Sequence, residues 1–180
     1  MRSVKFKLKN GKTVIIRSIQ ESDYDTVVEY LEKFSHDIGA VQTTMYPGRK
    51  KPSKEEFIKK YGTDENKLNI AVWDDKKIVG IAMISKERPD NLYYKGRTAG
   101  IGLSVLHEYT YNGIGGKILD TLEKWAKENG VKTIKAEIRH KNIPSIINCI
   151  KHGFIITGIC YNAVYINGKW IHEYIAQKEL

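Results

Sequence analysis

The chain has 180 residues, 41% hydrophobic and 28% charged, with a formal net charge of +9. That length suits one domain with a proper core, and the composition excludes low-complexity and disordered classes. No apolar run reaches membrane-spanning length, and the N-terminal MRSVKFKLKN alternates apolar with basic residues, unlike the continuous apolar block of a signal peptide.

Residues 4–8 and 13–19 are short alternating runs, predicted to pair as strands across Asn10-Gly11, a two-residue hairpin signal. Ser22 is expected to cap a helix through about Phe34, with Tyr24, Val27, Val28 and Leu31 on its apolar stripe. Residues 35–52 show no period and read as a loop. Ser53-Lys54-Glu55-Glu56 is a capping-box pattern opening a short helix that rests on Phe57 and Tyr61. LNIAVWD (68–74) and IVGIAMIS (78–85) read as strands around a turn at Asp74-Asp75-Lys76. The next strand, RTAGIGLSVL (97–106), carries Gly100 and Gly102, which mark a bulge or a close approach by something.

A helix follows from about 114 to 128, where Ile118, Leu119, Leu122, Trp125 and Ala126 recur at helical spacing and Gly130 ends the run. TIKAEIR (133–139) is a strand, and Asn142 caps a helix with Pro144 in its tolerant first turn. FIITGICY (154–161) and WIHEYIAQKEL (170–180) close the chain as a hairpin turning at Asn167-Gly168. The order predicts a single α+β domain over residues 1–180, built on a mixed sheet.

The stretch EYTYNGIGGKI (108–118) sets three glycines, Gly113, Gly115 and Gly116, at the start of a helix. Free N–H groups and the positive end of a helix dipole point the same way there, which suits an anion. The spacing is neither that of a P-loop nor that of a dinucleotide fingerprint, since Ile118 follows Lys117 and also stands three residues after Gly115. A strand–helix turn with no ligand stays open beside the anion site.

Val105-Leu106-His107-Glu108-Tyr109-Thr110-Tyr111-Asn112-Gly113-Ile114-Gly115 resembles the acetyl-CoA loop of the GNAT superfamily of N-acetyltransferases, V-x-P-E-[YF]-[RQ]-x-x-G-x-[GA]. Asn142-x-x-Ser145 with Gly153-Phe154 resembles that family's N-x-x-[AS]…GF segment, and Asn162-Ala163-Val164-Tyr165-Ile166-Asn167-Gly168 looks like the tail of its bacterial members. The resemblance implies a mixed central sheet flanked by helices, with splayed central strands forming an acetyl-CoA cleft. It assigns the pyrophosphate to Thr110, Tyr111, Asn112, Gly113, Ile114, Gly115, Gly116 and Lys117, largely through the N–H groups of residues 112–117. Pantetheine falls to Leu103, Ser104 and Val105, with Asn142 and Ser145 meeting its arm; for Asn142 a plain helix cap is the parallel reading.

The sequence departs from the family pattern at three positions. Thr110 stands at the Arg/Gln position, His107 at the proline, and Cys149 where a tyrosine often protonates the departing thiolate. Glu137 lies five residues before Asn142, where ribosomal-protein alanine acetyltransferases place a general base. It is the candidate catalytic residue, against the plainer reading of a charge alternating outward on a strand.

The resemblance implies direct transfer of an acetyl group from acetyl-CoA to a primary amine, on a small molecule or a protein; a non-catalytic acyl-CoA-binding module is the alternative. A nucleic-acid-binding domain is the third reading, and charge argues against it. The excess is +4 over residues 1–90 and +5 over residues 91–180, and the one local basic run, Arg49 to Lys54, reads as a solvated loop. A diffuse positive field suits a polyanionic small molecule. No nucleic-acid, membrane or metal partner is expected, since the five histidines lack ligand spacing. Cys149 and Cys160 are expected as reduced thiols in a cytoplasmic protein, monomeric or homodimeric.

Overall fold

The computed structural model describes residues 3–37, 51–166 and 168–180. The loop expected at 35–52, the basic run from Arg49 and the turn residue Asn167 fall wholly or partly outside them. Among the described residues, eight strands form one sheet in the order β1-β2-β3-β4-β5-β6-β8-β7. They are β1 (Val4–Lys7), β2 (Thr13–Ser18), β3 (Lys67–Asp74), β4 (Lys77–Lys86), β5 (Thr98–Val105), β6 (Thr133–Arg139), β7 (Ile155–Ile166) and β8 (Lys169–Glu179). The helices among the described residues are α1 (Tyr24–Ser35), α2 (Lys54–Tyr61), α3 (Ile114–Glu128) and α4 (Ile143–Lys151).

The first hairpin turns over three residues rather than the expected two. Leu8 N–H donates to Lys12 O at 2.7 Å and Gly11 N–H to Leu8 O at 3.0 Å, with Gly11 left-handed at φ +89°. Glycine supplies that third position without a Cβ penalty. Helix α1 is not capped by Ser22. A short 3-10 turn, Glu21–Asp23, precedes it, and Asp23 Oδ2 accepts from Gln20 N–H at 2.8 Å. On α1, Tyr30 and Phe34 are buried with Val27 and Val28, whereas Leu31 only packs against the core edge. For α2 the capping box is present: Ser53 Oγ accepts from Glu56 N–H at 3.1 Å, and Glu56 Oε2 accepts from Ser53 N–H at 2.7 Å.

Asp23 also takes both arms of Arg17, at 2.7 and 2.8 Å, while the guanidinium lies over the Trp73 ring at 4.2 Å. Burial alone would raise the Asp23 carboxyl; the Arg17 hydrogen bonds and the Gln20 N–H outweigh it and leave it lowered. A lowered acid stabilises the fold above its unfolded pKa of about 3.9, and that contribution is lost as pH falls through the folded value. Asp23→Asn breaks a largely buried charged pair and should cost about 2–3 kcal/mol, lowering Tm by about 5–10 °C at pH 7. The deficit should shrink in melts below about pH 4; an equal Tm for the two proteins at pH 7 would contradict this.

Among the described strands only β5 and β6 run parallel, and their pairing is short. It extends from Thr98↔Thr133 to Ile101↔Ala136 and stops, although β5 continues to Val105 and β6 to Arg139. The sheet therefore opens at its centre. No bulge causes this: β4 and β5 stay in continuous register from Gly80↔Val105 to Lys86↔Ala99, so the bulge expected at Gly100 and Gly102 is absent.

The candidate acetyl-CoA cleft

The ladder phase fixes what the opening presents. Leu106 N–H donates to Val79 O at 2.9 Å, and bonded and non-bonded pairs alternate in antiparallel strands. Ser104↔Ile81 is therefore a bonded pair, while Leu103↔Ala82 and Val105↔Gly80 are not. The N–H and C=O groups of Leu103 and Val105 point away from β4, into the opening. Across it, His140 N–H donates to His172 O at 3.1 Å and Leu180 N–H to Lys132 O at 2.9 Å. The even-numbered residues of β6 thus bond to β8, and the main chain of Glu137 and Arg139 faces the opening. Main-chain groups lining a cleft inside a sheet require partners. Ser104, one of three residues assigned to pantetheine by resemblance, differs from its neighbours: its main chain belongs to β4 and its Oγ lies 2.8 Å from Tyr30 Oη.

At the mouth, Tyr109 Oη donates to Asp74 Oδ2 at 2.6 Å and ties the loop to the β3–β4 turn. That hydrogen bond pushes the Tyr109 hydroxyl up to about 12 and holds the Asp74 carboxyl below its usual range. Tyr111, exposed, is left-handed at φ +60°, and Gly113 at φ +91° begins α3. Lys117 N–H donates to Gly113 O at 3.1 Å. Its backbone is thereby committed, which narrows the donors expected over 112–117. The first-turn N–H groups of Ile114, Gly115 and Gly116 have no intrahelical acceptor and point outward with the dipole. Thr110 Oγ1 is committed to His107 O at 2.7 Å, Asn112 Nδ2 donates to Thr110 O at 3.1 Å, and Lys117 Nζ lies 3.9 Å from Asp120.

Gly115 and Gly116 have a packing reason as well. A β-carbon would stand 3.1 Å from Asn148 Nδ2 at Gly115 and 3.0 Å from His152 Cε1 at Gly116, so α4 closes on α3 where both lack side chains. In α4, Asn142 Oδ1 accepts from Ser145 N–H at 3.2 Å, which is the cap reading. Cys149 is buried, and burial pushes its thiol up to about 11 against an opposing hydrogen bond from Ser145.

The two faces of the cleft differ. Ser104 faces α1 through Tyr30. Lys178 reaches Glu123 of α3, so Lys178 and its register partner Ile134 face α3, as Ala136 and Ile138 then do by alternation. Lys135, Glu137 and Arg139 therefore lie on the α1 face. Glu137 is exposed there, next to Arg139, whose Nη2 lies 3.5 Å from Glu173 Oε1. Burial raises the Glu173 carboxyl; Arg139 opposes the rise and Glu137 adds to it. Met83, partly exposed on β4, opens onto the same face beside Gly102. Tyr30, Arg139, Glu173 and Met83 escaped the sequence reading, because each looks like an ordinary strand or helix residue until the register is known.

Residues 32–154 match the model of the acetyltransferase (GNAT) family. The chain belongs to that family. The GNAT match runs from the end of α1 through α4, including the split pair and the glycine loop. An acetyltransferase of the GNAT family from Streptococcus pneumoniae has the same fold, with a TM-score of 0.82 at 22% identity over 93% of this chain and 99% of that one. The ribosomal-protein-S5-alanine acetyltransferase from Vibrio fischeri gives 0.77 at 22% identity, over 98% and 96% of the two chains. A GNAT superfamily phosphinothricin acetyltransferase from Sinorhizobium meliloti, in complex with AcCoA, gives 0.77 at 19%, over 93% and 88%. No curated protein matches the chain. At these identities the GNAT fold is what the neighbours share.

Proposed function

We propose that residues 1–180 form one N-acetyltransferase domain that moves the acetyl group of acetyl-CoA directly to a primary amine. The observation that carries the reading is the split between β5 and β6, with the main chain of Leu103 and Val105 turned into it and the α3 start beside it. A pantetheine arm, which carries two amides, fits such an edge as an extra strand would, and the pyrophosphate fits the N–H groups of Ile114, Gly115 and Gly116. Asn142 and Ser145, at the start of α4, flank the arm. The complex of the Sinorhizobium meliloti protein with AcCoA supports the same donor here. No helix among the described residues is long and apolar enough to cross a membrane.

The acceptor approaches from the α1 face, beside Glu137. A lysine-like amine of pKa about 10.4 is almost wholly protonated at pH 7, whereas an α-amine near 8 is about a tenth neutral. Glu137 takes that proton, directly or through water, before the amine attacks the thioester carbonyl and the coenzyme thiol leaves. Glu137→Gln should slow turnover at pH 7 by about a hundredfold and less at pH 9, where the amine needs less help. Equal losses at both pH values, read as kcat/KM on one amine, would remove Glu137 as the base.

Cys149 is a poor acid for the leaving thiolate, since its thiol is pushed up to about 11 while that of the leaving group lies near ~8.5. Cys149→Ala should keep kcat/KM within about tenfold of wild type. A thousandfold loss with acetyl-CoA affinity unchanged would assign the thiol a chemical role. The function itself is tested by an amine and peptide panel with free-thiol detection; acetyl-CoA binding without amine-dependent thiol release would mean a non-catalytic module.

A further inference from the structure

The first hairpin touches the loop that begins α3. Lys9 N–H donates to Asn112 O at 3.4 Å, and a β-carbon on Gly113 would stand 3.9 Å from the Phe6 ring. The hairpin tip is a built turn. Besides its two main-chain bonds between Leu8 and Lys12, Lys12 N–H donates to Asn10 Oδ1 at 3.1 Å. Lys9 is thereby held beside Asn112, and it is exposed. Ile114, whose N–H opens α3, lies two residues beyond Asn112, at most about 7 Å of chain. A lysine carries its charge on a flexible four-carbon stem, which suits a gap of that size. The other lysines around the loop are paired. Lys12 Nζ lies 3.4 Å from Asp74, Lys33 Nζ 2.7 Å from Glu108 and Lys117 Nζ 3.9 Å from Asp120. Lys9 is in no ion pair among the described residues. Thr110 stands at the Arg/Gln position of the family's loop, and its Oγ1 is committed to His107 O. A pyrophosphate at α3 is then left with main-chain donors and a helix dipole of about half a charge, against the full charges of a diphosphate.

We propose that Lys9 supplies the side-chain cation for the pyrophosphate of acetyl-CoA, in place of the one missing at Thr110. That role rests on the acetyl-CoA site proposed above and adds a residue to it. Lys9 lies outside residues 32–154, so the family match does not include it. Its ammonium donates to a phosphate oxygen as a point charge, while the N–H groups of Ile114, Gly115 and Gly116 fix the group in place. Lys5 and Lys7 do not share the role. They flank Phe6 on β1, whose ring meets the loop, so alternation sends both to the opposite face. Lys9 stands beyond the end of β1, in the turn, where that alternation no longer holds.

The test is calorimetric affinity for acetyl-CoA, with the Tm of the free protein as the check on folding. Lys9→Met should raise Kd about fivefold to tenfold at about 0.1 M salt and leave Tm unchanged. Lys9→Arg keeps the charge and should stay within about twofold of wild type. Lys5→Met removes the same net charge from the other face and should also change Kd by less than about twofold. The Lys9→Met penalty should shrink at about 0.5 M salt, because an exposed pair is screened. It should persist with the 3′-dephospho form of acetyl-CoA, which keeps the pyrophosphate and lacks the ribose phosphate. A penalty lost with that ligand would overturn the pyrophosphate assignment. Equal Kd values for wild type and Lys9→Met, or equal losses in Lys9→Met and Lys5→Met, would overturn the proposal and leave the acetyl-CoA site standing. A wild type that binds no acetyl-CoA would overturn the site and the role of Lys9 together.

Discussion

Acetyl-CoA at a hundred times its Kd should stabilise the wild-type chain by about 2.7 kcal/mol, and Tyr111→Asp should cut that gain while making the free protein slightly more stable. The opposite signs follow from one charge. Tyr111 is exposed and left-handed, a conformation aspartate tolerates better than tyrosine. A carboxylate just before α3 favours the helix by about 0.3–1 kcal/mol in the free protein. The same carboxylate repels a pyrophosphate on the N–H groups of Ile114, Gly115 and Gly116, and a tenfold weaker Kd takes about 1.4 kcal/mol from the ligand's effect. Thermal melts with and without acetyl-CoA read both numbers. Gly115→Val would be a poorer probe, since its side chain strikes Asn148 before it meets any ligand. An unchanged ligand shift in Tyr111→Asp would move the anion away from α3.

Val105→Pro should weaken acetyl-CoA binding by about tenfold to a hundredfold and leave the free fold nearly intact, whereas Ser104→Pro should destabilise the fold itself. The difference is the ladder phase. The Val105 N–H faces the cleft and is bonded to nothing in β4, so a proline ring there removes a donor from the ligand and fills part of its space. The Ser104 N–H belongs to the β4 pairing, and proline removes a ladder bond from the centre of the sheet. Calorimetric Kd values and denaturant midpoints for the two variants separate the effects. Similar midpoints for both would show that the phase is misassigned.

The strands and helices were legible in the sequence because their patterns are local. The α3 stripe of Ile118, Leu119, Leu122 and Ala126 is buried as its spacing requires, and Asn142 caps α4 with Pro144 in the first turn. Ser22 misled because Asp23, one residue on, is recruited by Arg17 from β2, a contact that no window around the helix contains. Gly100 and Gly102 suggested a bulge, but the strand keeps its register; the opening comes from where β6 leaves β5, which depends on residues thirty positions away. The glycine loop was recognisable through its resemblance to the family's loop, since its spacing by itself left a ligand-free strand–helix turn open. Which of its N–H groups remain available depends on the helix start at Gly113, and that is set by backbone angles. The α1 face of the cleft was the least legible part, since Tyr30, Arg139 and Glu173 meet only after α1, β6 and β8 have been assembled.

Amide hydrogen exchange, resolved by residue with and without acetyl-CoA, tests the cleft most directly. Exchange should slow at Leu103 and Val105 on β5 and at Ile114, Gly115 and Gly116 on α3, because these main-chain groups gain acceptors only when the ligand is bound. Unchanged exchange at all five amides under saturating acetyl-CoA, with protection appearing elsewhere or nowhere, would contradict it.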